Sequence, residues 1–188
     1  MSPFSESLRD ALVVFESLRP LEPKVVEAAE LVLACLKSGR KLLLCGNGGS
    51  AADSSHIATE FTCRFQNDRR PYPAISLVSD GGLLTAIGND YVFQDIFARQ
   101  VQAFGKAGDV LIALSTSGKS RNVLSAIEEA KRFGVKSIVL LGKGGGFTKG
   151  AGDIELLVQG TVTARIQEAH KFLLHAICEL VEPGLEKA

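Results

Sequence analysis

Apolar positions along the chain recur in two distinct rhythms. Over residues 4–18 and 23–38 they return every three or four residues, which predicts two helices; Pro23 suits a first helical position and Gly39 the cap that ends the second. The rhythm then changes to short, almost continuous apolar runs: "KLLLC" (41–45), "AISLV" (74–78), "DVLIALS" (109–115), "SIVLLG" (137–142) and "DIELLV" (153–158). Runs of this kind suit strands whose two faces are both covered. Helical spacing returns between and after them at 50–65, 92–103, 120–133 and 163–182. Strands that take turns with helices predict an α/β fold, a three-layer αβα sandwich around a mostly parallel sheet, preceded by the two N-terminal helices. Ligands of such sheets gather at the strand C-termini. The glycine-rich "GKGGGFTKGAGD" (142–153) reads as a surface loop.

Composition narrows the function classes. A chain of 188 residues, 46% of them hydrophobic, can bury one sizeable core, and without repeats or linkers it reads as a single domain over residues 1–188. Lys and Arg balance Asp and Glu at 21 each, and neither sign forms a long run, so no basic footprint points to nucleic acid. A small anionic ligand stays open. Cys35, Cys45, Cys63 and Cys178 form no C-x-x-C pair and mostly sit among apolar neighbours, which suits reduced thiols in the cytoplasm. The first residues lack the apolar core of a signal peptide, and no run is long enough to span a bilayer. A soluble cytoplasmic protein with no membrane partner is expected.

Two glycine turns carry the candidate chemistry. "GNGGSA" (46–51) satisfies the spacing of a dinucleotide turn, and Asp80 lies where a ribose-binding acid would be expected. That reading leaves His56 and Glu60, four residues apart on the next helix, without a role. "ALSTSGKS" (113–120) ends like a phosphate loop, but Ala113 replaces the first glycine and no strand ending in Asp follows to hold magnesium. Its hydroxyls, Ser115, Thr116, Ser117 and Ser120, sit where a strand hands over to a helix whose first N–H groups lack partners, an arrangement suited to a phosphate monoester. Ordinary capping and turn formation use the same residue types. Likewise, His56 and Glu60 at i and i+4 fit both a pair of metal ligands and a plain exposed helix pair.

"CGNGGS" with His56, Glu60 and Arg64 downstream, then "AIGND", "DVLIALSTSGKS" and "ARIQEAHKFLLH", resembles in order and spacing the sugar isomerase (SIS) domain, and within it the phosphoheptose isomerases. The resemblance covers most of the chain. It implies a three-layer sandwich on a five-stranded parallel sheet, a homotetramer with active sites between subunits, and residues 1–39 in the oligomer contacts. It also implies conversion of sedoheptulose 7-phosphate, a phosphorylated seven-carbon sugar, to D-glycero-D-manno-heptose 7-phosphate for bacterial surface polysaccharide. On this chain it assigns phosphate to Ser115, Thr116, Ser117 and Ser120, and the sugar to Asn47, Gly48, Gly49, Ser50, Asn89 and Asp90. Glu60 and His175 match the catalytic pair; His56, Glu60, Gln167 and His175 match the zinc ligands, with Glu60 and Gln167 also against the substrate. Ala164 stands where some members carry Asp, a departure that touches one sugar contact. His170 is left as a packing or intersubunit residue and Arg64 outside the site.

The chemistry asks for these residue types on its own account. Ketose–aldose isomerisation moves a proton between adjacent carbons through an enediol, which needs a base at carbon and a group that protonates or steadies oxygen. A carboxylate and an imidazole meet that need. Phosphate gripped at the far end positions the reacting end. A carboxylate bound to a metal is a weaker base, so the two roles of Glu60 compete. The alternative is a noncatalytic SIS-domain protein that binds sugar phosphates or a replication initiator. In the initiator-binding relative, the catalytic pair is replaced; here both residues remain.

Overall fold

The computed structural model describes residues 2–186; Met1, Lys187 and Ala188, the ends of the expected domain span, lie outside them. Helices α1 (Pro3–Glu16) and α2 (Glu22–Lys37) lead, joined by a short 3₁₀ turn. Ser2 caps α1 through a bond from the Ser5 N–H at 3.2 Å. Gly39 ends α2 as expected. Its φ of +72° reverses the chain, and the Arg40 N–H then returns to the Cys35 carbonyl at 3.1 Å.

Strands β1 (Leu42–Cys45), β2 (Ala74–Ser76), β3 (Val110–Ser115), β4 (Lys136–Leu141) and β5 (Ile154–Leu157) form one five-stranded sheet in the order β2-β1-β3-β4-β5. Every pairing is parallel, with Leu42 opposite both Ala74 and Val110, and Ile138 opposite both Ile112 and Ile154. Side chains alternate between two cores. Leu42, Leu44, Ile112, Leu114, Ile138 and Leu140 pack against α1, α2, α3 (Gly49–Thr62) and α7 (Thr163–Val181). Leu43, Cys45, Leu111, Ala113, Val139 and Leu141 face α4 (Gly81–Asp90), α5 (Ala98–Phe104) and α6 (Arg121–Arg132). Each buried Leu or Ile contributes about 1.5–3 kcal/mol of transfer free energy, which is why most strand positions between the two helical layers are apolar and the polar ones, Ser76, Ser115, Lys136, Ser137 and Glu155, fall on edge strands or near strand ends.

The strand order places a topological switch between β1 and β3: α3 carries the chain from β1 to β2, whereas α6 carries it from β3 to β4 on the opposite side. Loops leaving these neighbouring strands diverge to opposite faces and leave a crevice between them.

Two sequence expectations are corrected. The helix expected at 92–103 is shorter, Ala98–Phe104, behind a 3₁₀ turn, and α4 precedes it unforeseen. Glycines at 81, 82 and 88 lower the helical propensity of α4, but Asp80 caps it by accepting from the Leu83 N–H at 2.9 Å. That bond gives Asp80 a structural role in place of the ribose contact. The loop at 142–153 is not merely superficial, because it turns through a 3₁₀ segment with Gly145 and Thr148 buried.

Candidate active site

The turn after β1 lies at the crevice. Gly48 carries φ of +56°, and a Cβ on Gly46 would come within 2.8 Å of Ser50, so both positions require glycine for the tight entry into α3. Asn47 exchanges two side-chain hydrogen bonds with Asn122 in the first turn of α6, both at 2.9 Å. This pair ties the β1 loop to the β3 loop across the switch point. Asn122 escaped the sequence reading, since an Asn in a first helical turn has no distinguishing spacing. A cavity of about 370 Å³ opens beside the turn, bordered by Asn47, Gly48, Ser55, Leu84, Phe93 and Phe97. Ser50 is buried at the start of α3.

The hydroxyl loop after β3 forms the other lip. Ser120 occupies the N-cap position of α6 without capping it; its hydroxyl instead receives a hydrogen bond from the Ser115 hydroxyl at 3.0 Å. The capping explanation for Ser120 is therefore not met. Ser117 accepts from the Lys119 N–H at 3.1 Å, while Gly118 turns the loop with φ of +61°. Thr148 donates from its N–H (3.1 Å) and its hydroxyl (2.8 Å) to the Gly118 carbonyl. The glycine-rich loop thus supports the hydroxyl loop from behind, which its composition did not reveal.

The residues expected as the catalytic pair lie on α3 and α7, which pack together. His56 Nε2 lies 3.0 Å from His175 Nε2 and 3.2 Å from Glu60 Oε1. The ligand atoms of all three lie within 4.8 Å of one another. Phe65 stacks on the His175 ring, centroids 5.9 Å apart at 28°. Arg69 donates to the Glu60 carbonyl and, at 3.1 Å, to that of Phe61, closing the last turn of α3 under Glu60. Gln167 lies against Gly49, where a Cβ would meet its Nε2 at 2.5 Å, one end of α3 away from the His–Glu–His trio. Asn89 donates to Asp90 at 2.9 Å at the end of α4, where Asp90 borders a separate cavity with Tyr91 and Arg99. Thr116 lies between Ser115 and Ser117 in the hydroxyl loop. Arg64 is exposed and donates within its own loop, to the Gln66 carbonyl at 3.4 Å.

His170 is fully buried and bonds through Nε2 to the Leu141 carbonyl at 3.1 Å, with Nδ1 unpartnered. Burial pushes its pKa down to about 4, so the ring is neutral and donates. It is a packing residue. Cys35, Cys45 and Cys178 are buried thiols pushed up to about 12 by burial, while Cys63 is exposed.

The family profile described as "SIS domain" matches residues 8–142. A phosphoheptose isomerase of Campylobacter concisus is 51% identical over 155 residues, 82% of this chain and 82% of its own length. That of Geobacter metallireducens is 47% identical over 181 residues, 96% of each chain. This chain belongs to the phosphoheptose isomerase family of SIS-domain proteins. The solved structure of a phosphoheptose isomerase from Neisseria gonorrhoeae shares the fold with a TM-score of 0.85 at 43% identity, covering 96% of this chain and 95% of that one.

For a phosphoheptose isomerase of this sequence, the trio can be tested against a metal. Nitrogen and oxygen donors at zinc distances around a tetrahedral ion stand about 3.3 Å apart. The separations of 3.0 and 3.2 Å about His56 fit that spacing, and two imidazoles with a carboxylate suit a borderline divalent cation.

Proposed function

We propose that this phosphosugar isomerase interconverts sedoheptulose 7-phosphate and D-glycero-D-manno-heptose 7-phosphate in the cytoplasm, supplying heptose for bacterial surface polysaccharide. The observation that carries the reading is the convergence of Glu60 and His175 at the His56 side chain within one chain. Glu60 takes the C1 proton of the open-chain ketose. The enediol that results is reprotonated at C2, while His175 donates to and accepts from the adjacent oxygens. Ser115, Thr116, Ser117 and Ser120 hold the phosphate at the N-terminal end of α6, where N–H groups and the helix dipole favour an anion. Asn47, Gly48, Gly49 and Ser50 line the sugar between the two loops, with Gln167 against Gly49; Asn89 and Asp90, exposed beside a separate cavity, reach the sugar through active sites formed between subunits. The anchored phosphate keeps the reacting carbons against Glu60 and so contributes to turnover as well as affinity.

Zinc, one per subunit, would be held by His56, Glu60 and His175 and would polarise the substrate carbonyl; Gln167, which the resemblance adds to the ligands, stands in this chain at the opposite end of α3, against Gly49. The assembly is a homotetramer through contacts of residues 1–39. Supporting this, α1 presents Phe4, Leu8 and Leu12 in a row at 76%, 50% and 60% exposure, beside an apolar groove of about 680 Å³ between α1, α2 and α7. The charged residues of its lining, Glu16, Arg19, Glu22 and Glu179, include the exposed Glu16–Arg19 ion pair and no histidine, so the groove is assigned to contact between copies and not to catalysis. No helix among the described residues is long and apolar enough to cross a membrane.

The test is direct. Purified protein incubated with sedoheptulose 7-phosphate should yield the aldose phosphate by NMR. Tight binding of the sugar phosphate with no product would support the noncatalytic alternative instead.

A further inference from the structure

Helices α3 and α7 meet through pairings that advance in step along both. Gly49 receives Gln167, Asp53 pairs with Lys171 at 2.9 Å, and His56 meets His175 at 3.0 Å. The partners on each helix are spaced by three or four residues, so they lie along one side of each, and the two helices run in the same direction. Only the middle pairing has no part in binding or proton transfer. Its carboxylate is buried, with the Asp53 side chain 7% exposed, whereas the Lys171 side chain is 49% exposed. A buried carboxylate is costly unless paired, and a helix contact could have been made by two apolar residues at no such cost.

We propose that the Asp53–Lys171 ion pair is a positioning device for the isomerisation, fixing the rotation of α7 so that the His175 imidazole meets Glu60. The preceding residue supplies the second tether. His170 holds the same turn of α7 to the sheet through the Leu141 carbonyl, while Lys171 holds it to α3. Two tethers in different directions from adjacent residues prevent a helix from rolling. His175 follows Lys171 by one turn. A side chain reaches about 5–6 Å from a helix axis, so a roll of about 10° displaces its tip by about 1 Å. A misplacement of that size in a reacting group costs up to about a hundredfold in rate.

The inference rests on the isomerase reading, and steady-state kinetics separate the two. Lys171→Met should lower kcat about ten- to a hundredfold with KM within about twofold of the parent. Lys171→Arg, which can still reach Asp53, should restore most of the loss. The double variant Asp53→Asn/Lys171→Met, which leaves no unpaired buried charge, should stay slow. Should Lys171→Met fail to fold, the double variant and Lys171→Arg carry the same comparison. Parental kcat in Lys171→Met, or recovery in the double variant, would overturn the positioning role and leave the isomerase reading intact. An inactive parent enzyme would overturn that reading and this inference together.

Discussion

At the scale of single residues, environment separates groups that composition treats alike. The chain has three histidines. His56 and His175 meet in the site, while His170, nearer the apolar stripe of α7, is buried against Leu141. Its depressed pKa has a consequence for stability. The unfolded ring takes up a proton below about 6.5 and the folded ring only near 4, so stability is full above 6.5 and falls as pH drops through this window. The loss reaches roughly 3 kcal/mol at the lower end. Urea unfolding of the parent and of His170→Leu between pH 7 and 4 checks this: the variant should lack that part of the slope, and equal slopes would contradict it. Among the hydroxyls, Ser120→Ala should weaken substrate binding by about 1–2 kcal/mol, the worth of one hydrogen bond to a charged group. An unchanged KM would remove Ser120 from the phosphate site. These roles were only partly legible in the sequence. The proposed pair of Glu60 and His175 followed from resemblance, because the i, i+4 spacing of His56 and Glu60 also fits an idle helix pair; the bond between Asn47 and Asn122 spans 75 residues and leaves no local pattern.

Among the elements, strands were the most legible. Burial on both faces leaves a continuous apolar run, and all five runs became strands within one or two residues at their starts and ends. Helix α4 is not legible because its glycines obscure the period, and Asp80 reads in the sequence only as part of a weak dinucleotide match, not as a cap. The glycine-rich loop was misread for a related reason: glycine marks both free loops and loops that must approach another backbone closely. Gly118 shows the second case. A Cβ there would collide with the Gly145 carbonyl, and the left-handed φ of +61° adds strain. Gly118→Ala should therefore displace the hydroxyl loop, raising KM for the sugar phosphate at least tenfold while the core stays folded by circular dichroism. Parental KM would show that the two loops do not depend on one another.

Across the whole molecule, parallel topology accounts for why distant sequence segments share one site. The strand order brings the loops after β1 and β3 together, and α3 and α7, separated by a hundred residues of chain, pack on the same face of the sheet. Glu60 and His175 thereby come together within one chain, whereas Asn89, Asp90 and the apolar face of α1 are exposed at the surface. The central claim is that Glu60 is the base that removes the substrate's carbon-bound proton. Its most direct test is NMR of sedoheptulose 7-phosphate in deuterium oxide with the parent enzyme and with Glu60→Gln. The account predicts product and deuterium at the migrating-proton carbon with the parent, and neither with the variant although it still binds the sugar phosphate. Deuterium incorporation by Glu60→Gln at a rate near the parent's would contradict it.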